Sequence, residues 1–170
     1  EKGIEEYLSA AKYIKLKYPN TEFHIIGGYD EDYQMKVEAA QAKGYVIYHG
    51  AVADVRPYLK EMHCLINPSY HEGMSNVILE SNALGRPAIA SDCMGCNDIV
   101  SDGYNGFLAK VADANNLAKQ IERFILLSHE ERKVMGENAR KRVEAQFDRN
   151  IVTNAYIDEI NDIISRRKMK

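Results

Sequence analysis

Five short apolar runs, each closed by glycine, proline or another turn residue, constrain this chain more than any other feature. They are Phe23-His24-Ile25-Ile26, Tyr45-Val46-Ile47-Tyr48, Cys64-Leu65-Ile66, Pro87-Ala88-Ile89-Ala90 and Gly106-Phe107-Leu108. Each is too short for a helix and reads as a buried strand. Helical spacing fills most of the intervals. Ile4, Leu8, Ala11 and Ile14 define a helix that Pro19-Asn20 ends. Polar helices are expected over 31–43 and 55–62, with another after Ser75 that Gly85-Arg86-Pro87 stops. From Asp113 onward the chain is nearly all helix, over about 115–127, 130–146 and 150–165. Short apolar strands alternating with helices predict an α/β fold, a parallel sheet covered on both faces. Such sheets bind ligands outside the carboxyl ends of their strands. The loops at Gly27, Gly50, Glu72 and 91–97 all follow a predicted strand, so they should gather on one edge.

The segment His71-Glu72-Gly73-Met74-Ser75-Asn76-Val77-Ile78-Leu79-Glu80 has the composition of a ligand site. Gly73, Ser75 and Asn76 fall where a strand hands over to a helix, a place where free backbone N–H groups and the positive helix end favour a phosphate. Glu72 precedes that helix and Glu80 lies within it. Ionised carboxylates only accept hydrogen bonds, so these two suit sugar hydroxyls and not phosphate itself. Spacing alone does not distinguish this from two glutamates on a solvated face; the Pro-Ser turn before Glu72 and the glycine after it favour a site.

A chain of 170 residues fits one domain with a substantial core. With 28% charged residues and a net charge of −3, it lacks the basic excess of a nucleic-acid binder. No apolar run reaches the length of a membrane span, and Glu1-Lys2-Gly3-Ile4 is no signal peptide, so a cytoplasmic protein is expected. The first residue, falling just ahead of a helix, suggests a piece of a longer protein. Cys64, Cys93 and Cys96 are too few for a disulfide framework. Cys93-Met94-Gly95-Cys96 has the spacing of a metal or redox pair, but no second pair or histidine spacing completes a zinc site, and free loop thiols are the better reading. Asp30-Glu31-Asp32 looks like a metal motif yet opens a helix, where acids cap and complement the dipole. His71 and Tyr70 are open between ligand contact and structure. The tail Arg166-Arg167-Lys168-Met169-Lys170 reads as a solvated helix end.

Taken together, residues 67–80 and Ala83-Leu84-Gly85-Arg86-Pro87-Ala88-Ile89-Ala90-Ser91-Asp92 resemble the donor-binding core of family-4 glycosyltransferases. The likeness continues through Gly95-Cys96-Asn97-Asp98-Ile99-Val100 and residues 102–108 to the helix region at Phe147-Asp148, and includes Lys2-Gly3-Ile4, Gly27 and His49-Gly50. It therefore covers essentially the whole chain. The resemblance implies the C-terminal, Rossmann-like half of a GT-B fold over residues 1–170, facing an N-terminal acceptor domain absent from this sequence. It implies transfer of a sugar from a nucleotide-sugar donor, expected to be a UDP-sugar, to a polysaccharide or glycoconjugate acceptor, with retention of configuration and no metal or other cofactor.

Carried over by position, Glu72 is the candidate catalytic residue, contacting donor-sugar hydroxyls and stabilising charge. Glu80 would accept from the ribose hydroxyls. The backbone of Gly73, Met74 and Ser75 would face the sugar, and that of Asn76 and Val77 the diphosphate. Lys2 would neutralise the departing diphosphate, a charge that a cation and a helix end stabilise where it develops. The loop Gly50-Ala51-Val52 would hold the base. An arginine that shares the phosphate in many relatives would fall upstream of Glu1. Ser75 stands where glycine is often found. Partners implied are the donor and the chain's own N-terminal domain, with no nucleic acid and with membrane contact, at the inner face, only through that missing domain. Two rival readings are a GT-B nucleotide-sugar epimerase and a flavodoxin-like or receiver module; the latter wants an acidic residue after the third strand, where Asn67-Pro68 stands.

Overall fold

Parallel pairing joins every described strand, in a computed structural model that describes residues 1–28 and 31–168. The order is α1 (Ile4–Lys17), β1 (His24–Ile25), α2 (Glu31–Ala42), β2 (Ile47–Tyr48), α3 (Arg56–Glu61), β3 (Leu65–Asn67), α4 (Asn76–Ala83), β4 (Ala88–Ser91), β5 (Gly106–Ala109), α5 (Ala114–Ile125), α6 (His129–Gln146) and α7 (Arg149–Lys168). The strands form two ladders, β1-β2 and β3-β4-β5. His24 lies opposite Ile47 in the first. In the second, Ile66 pairs with Ile89, which pairs in turn with Phe107. The expected parallel α/β arrangement holds. What the sequence did not anticipate is the break between β1 and β3.

The central strand shows why both faces are covered. Ile89 joins Phe107 and Ala109 in a core with Tyr7, Ala10, Ala11 and Ile14 of α1 and Leu117, Ala118, Ile121 and Phe124 of α5. The alternate residues Ala88 and Ala90 face a second cluster with Ile78 of α4 and with Cys96, Ile99 and Val100. This is the period-two alternation of a strand with helices on each side. In α1 the buried positions 7, 10, 11 and 14 recur at helical spacing, which places one stripe against the sheet. Fully burying a side chain such as Ile14 or Ile89 stabilises the fold by about 2 kcal/mol.

Local chemistry sets the ends. Gly85 takes φ +70° just past α4, and a Cβ on Gly136 would stand 2.3 Å from the Gly85 carbonyl oxygen, so α6 crosses α4's end in backbone contact. Ser128 and Glu131 form a capping box that starts α6. Of the acidic triplet, Asp30 lies outside the described residues, while the helix does open at Glu31. In the last helix, α7, residues 150–166 are all exposed, including Tyr156, Ile157, Ile160 and Ile164. No described helix is long and apolar enough to cross a membrane.

Candidate functional site

The predicted handover from strand to helix is where the sequence placed it. β3 ends at Asn67, and α4 starts after Ser75 with Asn76 and Val77 in its first turn. Ile78 and Leu79 both direct their N–H groups to the Ser75 carbonyl, at 3.1 Å each. Among the described residues the N–H groups of Asn76 and Val77 have no such partner, as expected at a helix start. Ser75 itself is buried, and its hydroxyl does not cap the helix.

Ser75 is instead the end of a buried polar chain. Ser69 donates to Asn67 Oδ1 at 2.9 Å, and Asn67 Nδ2 donates to Ser75 Oγ at 2.8 Å. Asn67 is only 8% exposed and Ser69 0%, so each hydrogen bond replaces water that the site has excluded. The loop after β4 closes over this chain. Ser75 N–H donates to the Gly95 carbonyl at 3.2 Å, and Cys93 Sγ donates to the Ser69 carbonyl at 3.6 Å. Gly95, at φ +79°, leaves no room for a side chain: a Cβ would lie 2.5 Å from the carbonyl oxygen of Glu72.

The amino terminus docks on the same loop. Tyr70 N–H donates to the Glu1 carbonyl at 2.9 Å, and Gly3 presses on Pro68 so closely that a Cβ would sit 2.1 Å from its carbonyl oxygen. Lys2 Nζ is thereby placed 2.8 Å from Glu72 Oε1. Two residues 70 positions apart form one ion pair. Partial burial pulls the Glu72 carboxyl upward, but Lys2, Ser69 and His71 together outweigh it and hold the group below its ordinary value. The Lys2 side chain remains 76% exposed, so the pair contributes little stability and leaves the ammonium free to turn to another anion.

Glu80 is exposed, on the outer side of α4. Its charge reaches Arg56 of α3, which the sequence did not single out. Arg56 grips Asp54 through Nε at 2.8 Å and Nη2 at 2.9 Å, and that fork lowers the Asp54 carboxyl to about 2. Val52 is half-buried in the loop just upstream. Gly27 N–H donates to the Gly50 carbonyl at 2.8 Å, tying together the loops after β1 and β2. Behind them His24 Nδ1 and His49 Nε2 meet at 2.9 Å with stacked rings, and Tyr58 stands edge-on to His49. The structure thus brings Lys2, Glu72 and the Gly73 to Val77 turn together, with Glu80 one helical turn further on. Exposed Gly73 and Met74 form the outer lip.

Two other candidates are held by contacts of their own. Tyr70 spends its hydroxyl on Glu6 Oε1 at 2.8 Å, which makes it an anchor for α1. Burial and the neighbouring Cys93 push the Cys96 thiol up to about 12, the opposite of what a redox pair needs. No group of three or more His, Cys, Asp or Glu among the described residues is placed to hold a metal ion.

Comparison with known proteins shows the family and the fold. The family model described as glycosyl transferases group 1 matches residues 1–142. The chain is 31% identical over 164 residues to a Campylobacter jejuni N,N'-diacetylbacillosaminyl-diphospho-undecaprenol alpha-1,3-N-acetylgalactosaminyltransferase, covering 96% of this chain and 42% of that protein. It is 31% identical over 160 residues to the Staphylococcus aureus capsular polysaccharide biosynthesis glycosyltransferase CapM, covering 89% of this chain and 40% of the relative. The chain thus spans about two fifths of the length of these curated relatives. Sucrose-phosphate synthase from Thermosynechococcus elongatus superimposes with a TM-score of 0.81 at 26% identity, covering 97% of this chain and 43% of that one. Anabaena Alr3699/HepE, solved in complex with UDP, superimposes with a TM-score of 0.82 at 20% identity, covering 95% and 45%.

Proposed function

The chain belongs to the group 1 glycosyl transferases, and from that premise we propose that it is the donor-binding, C-terminal domain of a retaining, family-4 enzyme that uses a UDP-sugar. The observation that carries this reading is the turn at 72–77. There a lysine, a carboxylate and two unpaired helix-start N–H groups lie side by side at the carboxyl end of a parallel strand. A nucleoside diphosphate leaving group needs that pairing, because negative charge grows on its terminal phosphate as the sugar bond breaks.

The N–H groups of Asn76 and Val77 bind the diphosphate at the positive end of α4. Lys2 turns from Glu72 to the same phosphate. Glu72, released from the ammonium, accepts from hydroxyls of the transferred sugar and steadies positive charge at its reacting carbon. Gly73, Met74 and Ser75 present backbone to that sugar. Glu80, one turn along α4, accepts from the two ribose hydroxyls, and the loop at Gly50 to Val52 holds the base through backbone groups. With the phosphate charge met by Lys2 and the helix start, the scheme needs no metal ion. The acceptor, a polysaccharide or glycoconjugate, is bound mainly by an N-terminal domain of the full-length protein, and any membrane contact belongs to that domain. The UDP complex of HepE and the polysaccharide roles in the names of the relatives favour this choice of substrates.

Calorimetric titration of the chain with UDP, GDP and ADP, repeated with Glu80→Ala, tests the site. Weak binding of UDP in preference to the others, lost in the variant, is expected. Absence of binding to all three, or equal binding in Glu80→Ala, refutes it.

A further inference from the structure

We propose that the cleft between α6 and the Gly85-Arg86-Pro87 turn binds a small molecule carrying a phosphate group, held by Arg132 and Lys133. This inference goes beyond the donor site and does not depend on it.

The cleft has a volume of about 760 Å³, within the range of small-molecule sites. Two of its lining residues, His63 and Pro87, precede β3 and β4, whereas the turn at 72–77 follows β3. The two sites therefore lie at opposite ends of the strands. One wall is α6, whose lining positions recur three or four apart from His129 to Glu144, so a single face of the helix looks into the space. Gly136 meets Gly85 in backbone contact and holds that wall in place.

Charge sets this cleft apart. Arg86, Arg132, Lys133, Arg140 and Lys141 line it against two carboxylates, Glu137 and Glu144, although the chain as a whole carries −3. Two of the five cations have structural roles. Arg86 Nη2 donates to the Lys60 carbonyl and Arg140 Nη1 to that of Ala83, closing the ends of α3 and α4, and Arg140 Nε also holds Glu144 Oε1 at 2.5 Å. The others are unspent. Among the described residues the side chains of Arg132 and Lys141 make no hydrogen bond or ion pair, and Lys133 has only a long one, 3.8 Å to Glu130. Both lining carboxylates fall in the C-terminal half of α6, so the end with Arg132 and Lys133 is lined by basic groups alone, with His63 and His129 beside them. Arg132 is half-buried, and its charge reaches the Cys64 thiol next to His63, which places the guanidinium against the entrance to β3. Arg86 Nε is buried with no partner among the described residues, a donor that a bound oxygen would satisfy.

A phosphate matches this donor set. Arg132 offers a planar fork for two of its oxygens, and Lys133 a point charge for a third. Leu84 and Pro87 give an apolar strip to the rest of the ligand. A membrane surface or a nucleic acid wants a basic face to lie along, whereas these cations line a concavity that also holds Glu137 and Glu144.

The chain is titrated with inorganic phosphate and with mannose 6-phosphate, free mannose serving as the control, while backbone amide shifts are followed by NMR. Both phosphates should give saturable shifts over residues 129–136 and at Arg86, and mannose none. Arg132→Gln combined with Lys133→Gln should weaken this binding at least ~10-fold, because charge-assisted hydrogen bonds are lost. Lys12→Gln combined with Lys119→Gln removes the same charge from exposed positions on α1 and α5 and should leave binding unchanged. Lys133→Glu, at an exposed position, stands in for the first double variant if that one does not fold. Shifts confined to Asn76 and Val77 overturn the proposal, since they report the donor turn alone. Equal binding in the cleft variant overturns it too, as does binding to phosphatidylglycerol vesicles without a saturable response to the soluble phosphates.

Discussion

Gly95 sits at φ +79° over the turn that holds Glu72, and a single methyl group there should open the site. In Gly95→Ala the new Cβ falls 2.5 Å from the Glu72 carbonyl oxygen and 2.7 Å from that of Gly73. A comfortable carbon–oxygen contact is about 3.3 Å, so the two loops must part by about 0.6–0.8 Å. That displacement stretches the Ser75 N–H to Gly95 carbonyl bond, now 3.2 Å, beyond useful range. Left-handed backbone costs alanine about 1 kcal/mol and the lost hydrogen bond about another, with contact strain besides, for a total of about 3 kcal/mol. In a domain of this size that lowers the melting temperature by about 6–12 °C. Gly103 provides the control: its φ is +75° but nothing lies within 4 Å of an added Cβ. Gly103→Ala should therefore cost only the backbone share, about 1 kcal/mol or 2–4 °C. Because both variants stiffen the unfolded chain equally, the difference isolates the collision. Differential scanning calorimetry of the pair, with UDP titration, is the assay. Equal losses in the two variants, or intact nucleotide binding in Gly95→Ala, would refute the claim that the 93–97 loop shapes the donor turn.

Asn67→Ala removes the middle of the buried polar chain and strands the hydroxyls of Ser69 and Ser75; chemical denaturation should report a loss of about 2 kcal/mol, and a loss below about 0.5 would show the chain to be dispensable. Glu80→Ala should weaken UDP binding about 10- to 100-fold by calorimetry while leaving the melting temperature of the free protein unchanged, because the side chain is exposed. The Glu72 carboxyl is held below its ordinary value, so its pairing with Lys2 is present above the usual carboxylate range and is lost as pH falls through the lowered midpoint. Carbon-13 NMR should show that midpoint rising in Lys2→Met; no movement would mean the ion pair does not form in solution. Ending the chain at Asp148 should leave the melting temperature of the domain within about 2 °C, since residues 150–166 are all exposed.

Element types were legible in the sequence because the apolar runs and helical stripes differ in period. Strand ends were not. Residues 23–26 read as one strand, yet the ladder with β2 holds only His24–Ile25. Residues 64–66 shift to Leu65–Asn67 because pairing with β4, and not hydrophobicity, decides where the ladder stops. At the candidate site, Glu72, Glu80 and the Gly73 to Val77 turn sit within a few residues of one another, so a local motif was enough to propose them. Arg56 comes from α3, 24 positions before Glu80, and Gly95 reaches the Glu72 carbonyl from a loop 23 positions later. Such contacts exist only after the sheet has brought the loops to one edge. Asn67 looked like a turn residue; that its amide bridges Ser69 and Ser75 depends on burial, which composition does not show.

The turn from Asn67 to Val77 divides its labour between two sets of side chains. Asn67, Ser69 and Ser75 are sealed inside and determine its shape, whereas His71, Met74, Asn76, Val77 and Glu80 are exposed. Substitution at the outer positions is therefore nearly free of a folding penalty. A lineage, or a protein engineer, can vary the side chains displayed at those five positions while the frame that presents them stays the same. Inheritance of the scaffold and the chemistry displayed on it become separable traits, and the buried trio is where a single change would forfeit both.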